Sequence, residues 1–64
     1  MKKSKKAVTM MSSIGKTPAG GVRSEIYYKD DDGNAVDKKK ATQAEIVEYD
    51  ENDAVIQRTH GTLG

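Results

Sequence analysis

The sequence predicts an all-β protein, a small antiparallel meander of three to four strands that follows a flexible basic N-terminal arm. Residues 22–29, "VRSEIYYK", alternate between two faces, as a strand does. Two segments, "YYKDDDGNAV" and "EYDENDAVI", each join an aromatic residue through an acidic turn to Ala-Val. That arrangement is typical of hairpins.

The first 21 residues are predicted as a disordered or extended basic arm with a Gly/Pro linker, before a small β domain over residues 22–62. Part of the linker, "SSIGKTPAGG", looks like a phosphate-binding loop. However, a Walker A loop needs a glycine five residues before its Gly-Lys-Thr, where this chain has Met10. Pro18, followed by Gly20 and Gly21, also prevents a helix from propagating from this point. We therefore interpret the stretch as a flexible hinge.

Within the β domain, the strand over residues 22–29 leads into the polar turn 30–34, where Gly33 suits a positive φ. A short returning strand is expected around residues 35–38. Residues 42–50 allow two interpretations. Thr42 and Glu45 fit a helix capping box, which gives an α+β alternative with one short helix near 42–50.

The strand is the preferred interpretation of residues 42–50. Ile46 and Val47 are β-branched, and the polar residues 50–53 prevent an apolar helical stripe from continuing. Residues 51–54, "ENDA", then form the next turn, and residues 55–63, "VIQRTHGTL", supply the last strand.

Charge divides the chain into two parts of opposite sign. Residues 1–23 carry six basic residues and no acidic residue, whereas residues 24–64 carry five basic and all ten acidic residues. The net charge of +1 thus conceals a basic arm and an acidic body. A basic arm is typical of proteins that contact polyanions such as nucleic acid.

The small size of the domain predicts a partner. Chains of this length usually need a disulfide, a metal or a second subunit to be stable, and this one has no cysteine and a single histidine. Adjacent apolar pairs at 27–28, 46–47 and 55–56 also place apolar groups on both faces of their strands. We expect another protein, or a second copy of the chain, to cover the sheet.

No catalytic, cofactor or metal site is predicted, and the chain is not expected to be an enzyme. His60 is the only histidine, so it has no clustered partners for nucleophilic or metal chemistry. Asp30, Asp31 and Asp32 do not form an EF-hand, because its first and last positions would be Tyr28 and Lys39.

No membrane partner is expected, and the predicted location is cytoplasmic. The mildly apolar residues 7–14 are interrupted by Thr9, Ser12 and Ser13. They make a poor hydrophobic region for a secretory signal and are far too short to span a bilayer.

Two functions are compatible with these features. The preferred one is a protein-interaction module that docks through its acidic sheet. Its predicted partner-binding residues are Glu25, Tyr27, Glu45, Val47, Glu48 and Tyr49. The alternative is a nucleic-acid-associated accessory protein that contacts phosphates. Its predicted contact residues are Lys2, Lys3, Lys5, Lys6, Lys38, Lys39 and Lys40.

Overall fold

The structure, a computed structural model, describes residues 7–63. This part of the chain forms one four-stranded antiparallel sheet with strand order β1-β2-β3-β4. The strands are β1 (Met10–Ile14), β2 (Arg23–Lys29), β3 (Gln43–Tyr49) and β4 (Val55–Thr62). The described residues contain no helix, so the predicted all-β meander is confirmed.

The two central strands set the register of the sheet. Arg23 lies opposite Tyr49 at one end of the β2–β3 pair, and Lys29 lies opposite Gln43 at the other. The β3–β4 pairing shifts at Glu48/Tyr49, which leaves Ile56 as an extra residue in β4. Such a bulge bends the bulged strand and increases its local twist.

β1 lies inside the segment that the sequence assigned to the arm and linker. Met10–Ile14 pairs residue by residue with β2, from Met10 opposite Tyr27 to Ile14 opposite Arg23. The β domain therefore begins well before residue 22. The physical reason is that β2 has free N–H and C=O groups on one side, and a neighbouring extended segment can satisfy them.

The predicted flexible hinge is a closed loop that connects β1 to β2. The Gly15 N–H donates to the Val22 carbonyl at 2.9 Å, and the Gly21 N–H donates to Thr17 Oγ1 at 2.8 Å. The loop is also fixed to the sheet, because the Ala19 N–H donates to Glu48 Oε1 at 3.0 Å. These hydrogen bonds fix the loop, although its small residues predicted a flexible segment.

Residues 43–49 form a strand, so the short-helix alternative is excluded. Thr42 does not act as a helix cap: its N–H donates to the Lys29 carbonyl at 3.0 Å and its hydroxyl donates to Asp31 at 2.6 Å. The returning strand expected near residues 35–38 is reduced to one isolated bridge between Lys29 and Ala35.

The two acidic turns share one hydrogen-bond pattern. In each, the first aspartate accepts two backbone N–H groups through its side chain, from the residues two and four positions later. Asp30 accepts from Asp32 and Asn34, both at 2.9 Å. Asp50 accepts from Asn52 at 2.8 Å and from Ala54 at 3.0 Å. The similarity of the two segments in sequence is therefore a similarity of turn structure.

The fourth position of each turn is left-handed, and the first carboxylate is stabilised by its N–H donors. Gly33 has a φ of 85° and Asp53 a φ of 66°, and aspartate is one of the few residue types that tolerate this region. The Asn34 and Asp32 N–H groups lower the pKa of Asp30, because they stabilise its charged form.

The sheet is a single thin layer with little core. Its principal extents are 42 × 30 × 17 Å and its radius of gyration is 13.4 Å, against roughly 10–11 Å for a compact domain of this length. Among the described residues, only two hydrophobic residues are buried, Ala44 at 7% and Val47 at 4% exposure. No large side chain in this part of the chain is fully buried.

Gly21 is expected to be intolerant of a side chain. A Cβ there would lie 2.5 Å from the Tyr49 carbonyl oxygen, a backbone atom that cannot move aside. We expect Gly21→Ala to lower the free energy of unfolding by about 1–3 kcal/mol, measured by urea denaturation. Gly61→Ala is the matched control, because a Cβ at Gly61 meets nothing within 4 Å. Equal stability of the two variants would contradict the close loop–strand contact.

Asp50 is expected to stabilise the β3–β4 turn through its two N–H acceptor bonds. Asp50→Ala removes both, and the expected loss is about 1–3 kcal/mol of unfolding free energy. Asp50→Asn is the control, since its side-chain oxygen still accepts hydrogen bonds. The same urea titration measures all three proteins. A loss in Asp50→Asn as large as in Asp50→Ala would show that the acceptor geometry is not what stabilises the turn.

Candidate protein-interaction surface

The pairing register assigns each strand residue to one of two faces, because directly opposed residues share a face and neighbours along a strand alternate. We call one face the charged face. It consists of Met10, Ser12, Ile14, Arg23, Glu25, Tyr27, Lys29, Gln43, Glu45, Val47, Tyr49, Val55, Arg58, His60 and Thr62. We call the other the neutral face. It consists of Met11, Ser13, Ser24, Ile26, Tyr28, Ala44, Ile46, Glu48, Gln57, Thr59 and Gly61.

Glu25 is the centre of a polar network on the charged face. Its Oε1 accepts hydrogen bonds from the Tyr27 hydroxyl and, at 3.0 Å, from the Tyr49 hydroxyl. Its Oε2 accepts from Arg23 at 2.8 Å. The Arg23 guanidinium lies 4.0 Å from the centre of the Tyr49 ring and donates to Asp53 at 3.0 Å. These contacts join β2, β3 and the β3–β4 turn.

The network shifts the pKa values of its members in opposite directions. The hydrogen bond from Tyr27, reinforced by Tyr49 and Arg23, lowers the pKa of the Glu25 carboxyl. The same bond to Glu25, with burial adding to it, raises the pKa of Tyr27 far above its ordinary value. The hydrogen bond to Asp53 is the largest cause that raises the pKa of Arg23. Each shift stabilises the protonation state present at neutral pH.

A second carboxylate, Glu45 on β3, is surrounded by basic groups from the two flanking strands, β2 and β4. Its Oε1 lies 3.4 Å from Lys29 Nζ, and its Oε2 lies 3.5 Å from an Arg58 nitrogen and 3.6 Å from His60 Nε2. Val47 lies between the two carboxylate clusters, directly opposite Glu25 on β2 and Arg58 on β4. The long polar side chains bury this residue to 4% exposure.

This arrangement changes what the predicted partner-binding residues can do. Glu25 and Glu45 are only 18% and 12% exposed at their side chains and are already paired with basic groups. Val47 and Glu48 are buried, with Glu48 held by the β1–β2 loop. The structure therefore brings Glu25, Tyr27, Glu45, Val47 and Tyr49 together on one face, but as a mutually satisfied network and not as a free acidic patch. Glu48 lies on the opposite face.

The neutral face has no exposed charge. Its one carboxylate, Glu48, is 5% exposed and lies under the β1–β2 loop. Ala44 is buried at 7% exposure, whereas two larger apolar side chains of this face are open to solvent, Met11 at 45% and Ile46 at 38% exposure. Ile26 lies opposite both Met11 and Ile46, so the three form a row across three strands. A contiguous exposed apolar row is characteristic of an interaction surface.

The neutral face was not predicted from the sequence. The signal for it exists in the alternation of β2, where Arg23, Glu25 and Lys29 share one parity and Ser24, Ile26 and Tyr28 share the other. In β4, Arg58 and His60 likewise alternate with Gln57, Thr59 and Gly61. Assigning residues of different strands to the same face also requires the strand register. The adjacent apolar pairs in the sequence made that register hard to predict.

The lysines of the nucleic-acid alternative lie in two places. Lys38, Lys39 and Lys40 form a turn in which the Lys40 N–H donates to the Asp37 carbonyl at 2.8 Å. The Lys38 N–H donates to the Val8 carbonyl, also at 2.8 Å, so this turn lies beside the start of the described chain. The predicted contact residues of the arm, Lys2, Lys3, Lys5 and Lys6, lie outside the described residues.

Other kinds of site leave no trace in residues 7–63. This part of the chain contains no enclosed pocket and no cluster of three or more histidine or acidic residues arranged to hold a metal ion. None of its elements is a helix of the length and hydropathy needed to cross a membrane. Comparison with family models, curated proteins and solved structures finds no match for the chain.

The Glu25 network predicts a defined pH response. Glu25 contributes stability that is complete above its ordinary pKa of 4.5 and is lost as pH falls through its lowered folded-state pKa. Tyr27→Phe removes the largest cause of that lowering, so the Glu25 pKa should rise toward 4.5. Carbon-13 NMR titration of the Glu25 carboxyl measures this directly.

Tyr28→Phe is the matched control for this titration. Tyr28 is on the neutral face and its hydroxyl contacts the Met11 sulfur at 3.8 Å, so its removal should leave the Glu25 pKa in place. A Glu25 pKa that is the same in Tyr27→Phe as in the unaltered protein would show that the Tyr27 hydroxyl does not stabilise the carboxylate.

Proposed function

We propose that this chain is a small non-enzymatic protein-interaction module, and that its neutral face is the surface that binds protein. The observation that carries the proposal is the contrast between the two faces. On the charged face the exposed apolar residues Met10, Ile14 and Val55 share their surface with ionised side chains, whereas Met11 and Ile46, more than one third exposed on the neutral face, share theirs with no exposed charge. A sheet of this kind normally has one face covered and one face in water.

The chemistry of the neutral face suits protein better than nucleic acid. Protein–protein interface cores are depleted in charged residues, and the exposed residues of this face carry none. A phosphate-binding surface needs lysine or arginine. The acidic sheet that the sequence suggested as the docking element is a weaker candidate, because Glu25 and Glu45 already have basic partners within 3.5 Å.

A second candidate function is phosphate binding by the lysine turn and the N-terminal segment. The observation in its favour is the backbone bond from Lys38 to Val8. This bond places the turn 38–40 beside Val8, which follows Lys6 by two positions in the sequence. The acidic residues Asp30 to Asp32 in the same connection weaken the local positive potential.

Cysteine protection tests whether protein covers the neutral face. The chain has no cysteine, so Thr59→Cys introduces a unique thiol on the neutral face, opposite Ile46. Thr62→Cys is the matched control: the same residue type, exposed, on the same strand, but on the charged face. In an extract of the native host, we expect a maleimide to label Thr59→Cys about tenfold more slowly than Thr62→Cys.

Two treatments of the extract identify the kind of molecule that protects the thiol. Nuclease treatment of the extract should leave the protection intact, whereas its loss would favour the nucleic-acid alternative. Protease treatment under conditions that spare the folded chain should abolish it if another protein is the cover. Equal labelling of the two thiols in the untreated extract would contradict the proposed function.

A further inference from the structure

The charge distribution of the neutral face allows it to pack against the same face of a second copy. None of its exposed residues is ionised at neutral pH, and its single buried carboxylate accepts the Ala19 N–H beneath the loop. Two such faces can therefore meet without like-charge repulsion and without leaving a buried charge unpaired. The charged face lacks this property, since covering it would remove the ionised side chains of Arg23, Lys29 and Arg58 from water.

The dimensions of the face fit a stable interface. Three strands of seven or eight residues and one of five, at about 4.8 Å spacing and about 3.4 Å per residue, give roughly 440 Å² of projected area. Side-chain relief makes the accessible area larger than the projected area. A standard protein interface uses about 800 Å² of accessible surface per partner.

The protein that covers the neutral face must be bound whenever the chain is folded, since the described residues bury only Ala44 and Val47 as a hydrophobic core. A second copy is available at every concentration at which the chain exists, and two-fold homodimers are the commonest soluble assemblies. We infer that two copies pack neutral face against neutral face as a β-sandwich. This inference rests on the proposed function, because it identifies the protein that covers the face.

The shape of the face supports a two-fold arrangement. Ile26 and Ile46 are directly opposed on the two central strands and form a ridge. Ala44 lies opposite Gly61 on the next row, and Ala44 is already buried at 7% exposure. In aligned sandwiches, sheets pack about 10 Å apart with their side chains in contact between them. With the two-fold axis in the plane between the two sheets and perpendicular to the strands, the two ridges meet at the centre of the interface.

The same axis also accommodates the β1–β2 loop. The loop covers the neutral face at the end where Ala19 contacts Glu48. Strands of the second copy run in the reverse direction under this axis, so its loop lies at the opposite end of the interface. The loop of each copy then contacts the end of the other copy's neutral face that carries Met11 and Tyr28.

Sedimentation equilibrium of the purified full chain tests the inference. Over about 1–200 μM, a folded dimer should be observed, with a thermal midpoint that rises with concentration. Ile46→Lys places a charge on the ridge and should weaken dimerisation by at least about 100-fold. Ile14→Lys is the matched control, because Ile14 is 86% exposed on the charged face, and it should dimerise as the unaltered chain does.

Thiol labelling of the purified Thr59→Cys protein keeps the test decisive if Ile46→Lys fails to fold. We expect labelling to be fast at low concentration and about tenfold slower at high concentration, with no such change in Thr62→Cys. A folded monomer over the whole range, with constant Thr59→Cys labelling, would overturn the inference. A dimer in which Thr59→Cys stays fully reactive would also overturn it, since the neutral face would then not be the contact.

The two proposals fail in different ways. Protection of Thr59→Cys in host extract but not in the purified protein at any concentration leaves the neutral face as a protein-binding surface and refutes the homodimer. If Thr59→Cys is protected neither in host extract nor in the purified protein, the proposed function and the homodimer are both refuted. Protection in the purified protein together with a dimer mass supports both.

Discussion

A single antiparallel sheet has two faces and no second layer, and this constraint governs the whole molecule. Side chains that point away from a lone sheet must be covered by their own neighbours or remain in water. On the charged face, long polar side chains provide that cover: Arg23 lies over Tyr49 and the Glu25 and Glu45 clusters surround Val47. The result is a small hydrophobic centre protected by a hydrogen-bonded polar layer.

The neutral face cannot be covered in this way, because its side chains are apolar or short. Of its described residues, Ala44 and Glu48 are buried, and the β1–β2 loop is what covers Glu48. The β1–β2 loop folds over it, donates the Ala19 N–H, and approaches β3 so closely that Gly21 has no room for a side chain. The loop is therefore part of the sheet structure, and it covers the one position where a bare neutral face would expose a carboxylate to an apolar partner.

Features that depend on local pattern were predictable from the sequence. The alternation of residues 22–29, the β-branched pair in 42–50 and the two acidic turns all gave correct elements. β1 was missed because "MMSSI" is short and partly polar, and only the free edge of β2 makes it a strand.

The site was harder to predict, because its chemistry depends on register. Glu45 and Glu48 look alike in sequence, yet one is held by Lys29, Arg58 and His60, whereas the other is buried under a loop. These groups come from distant parts of the chain. Sequence could therefore identify which residues carry charge, but not which charges remain free to bind a partner.

The two candidate functions use different parts of the molecule, because the neutral face carries no exposed charge. The lysine turn 38–40 belongs to the β2–β3 connection and bonds to Val8, whereas the Ile26–Ile46 ridge lies at the centre of the sheet. A substitution at Ile46 changes the apolar contact without removing any basic group, and substitution of the lysines leaves the ridge intact. Phosphate contacts weaken steeply as salt rises, whereas apolar burial does not depend on ionic attraction. The two kinds of binding are thus physically independent, and each can be lost while the other persists.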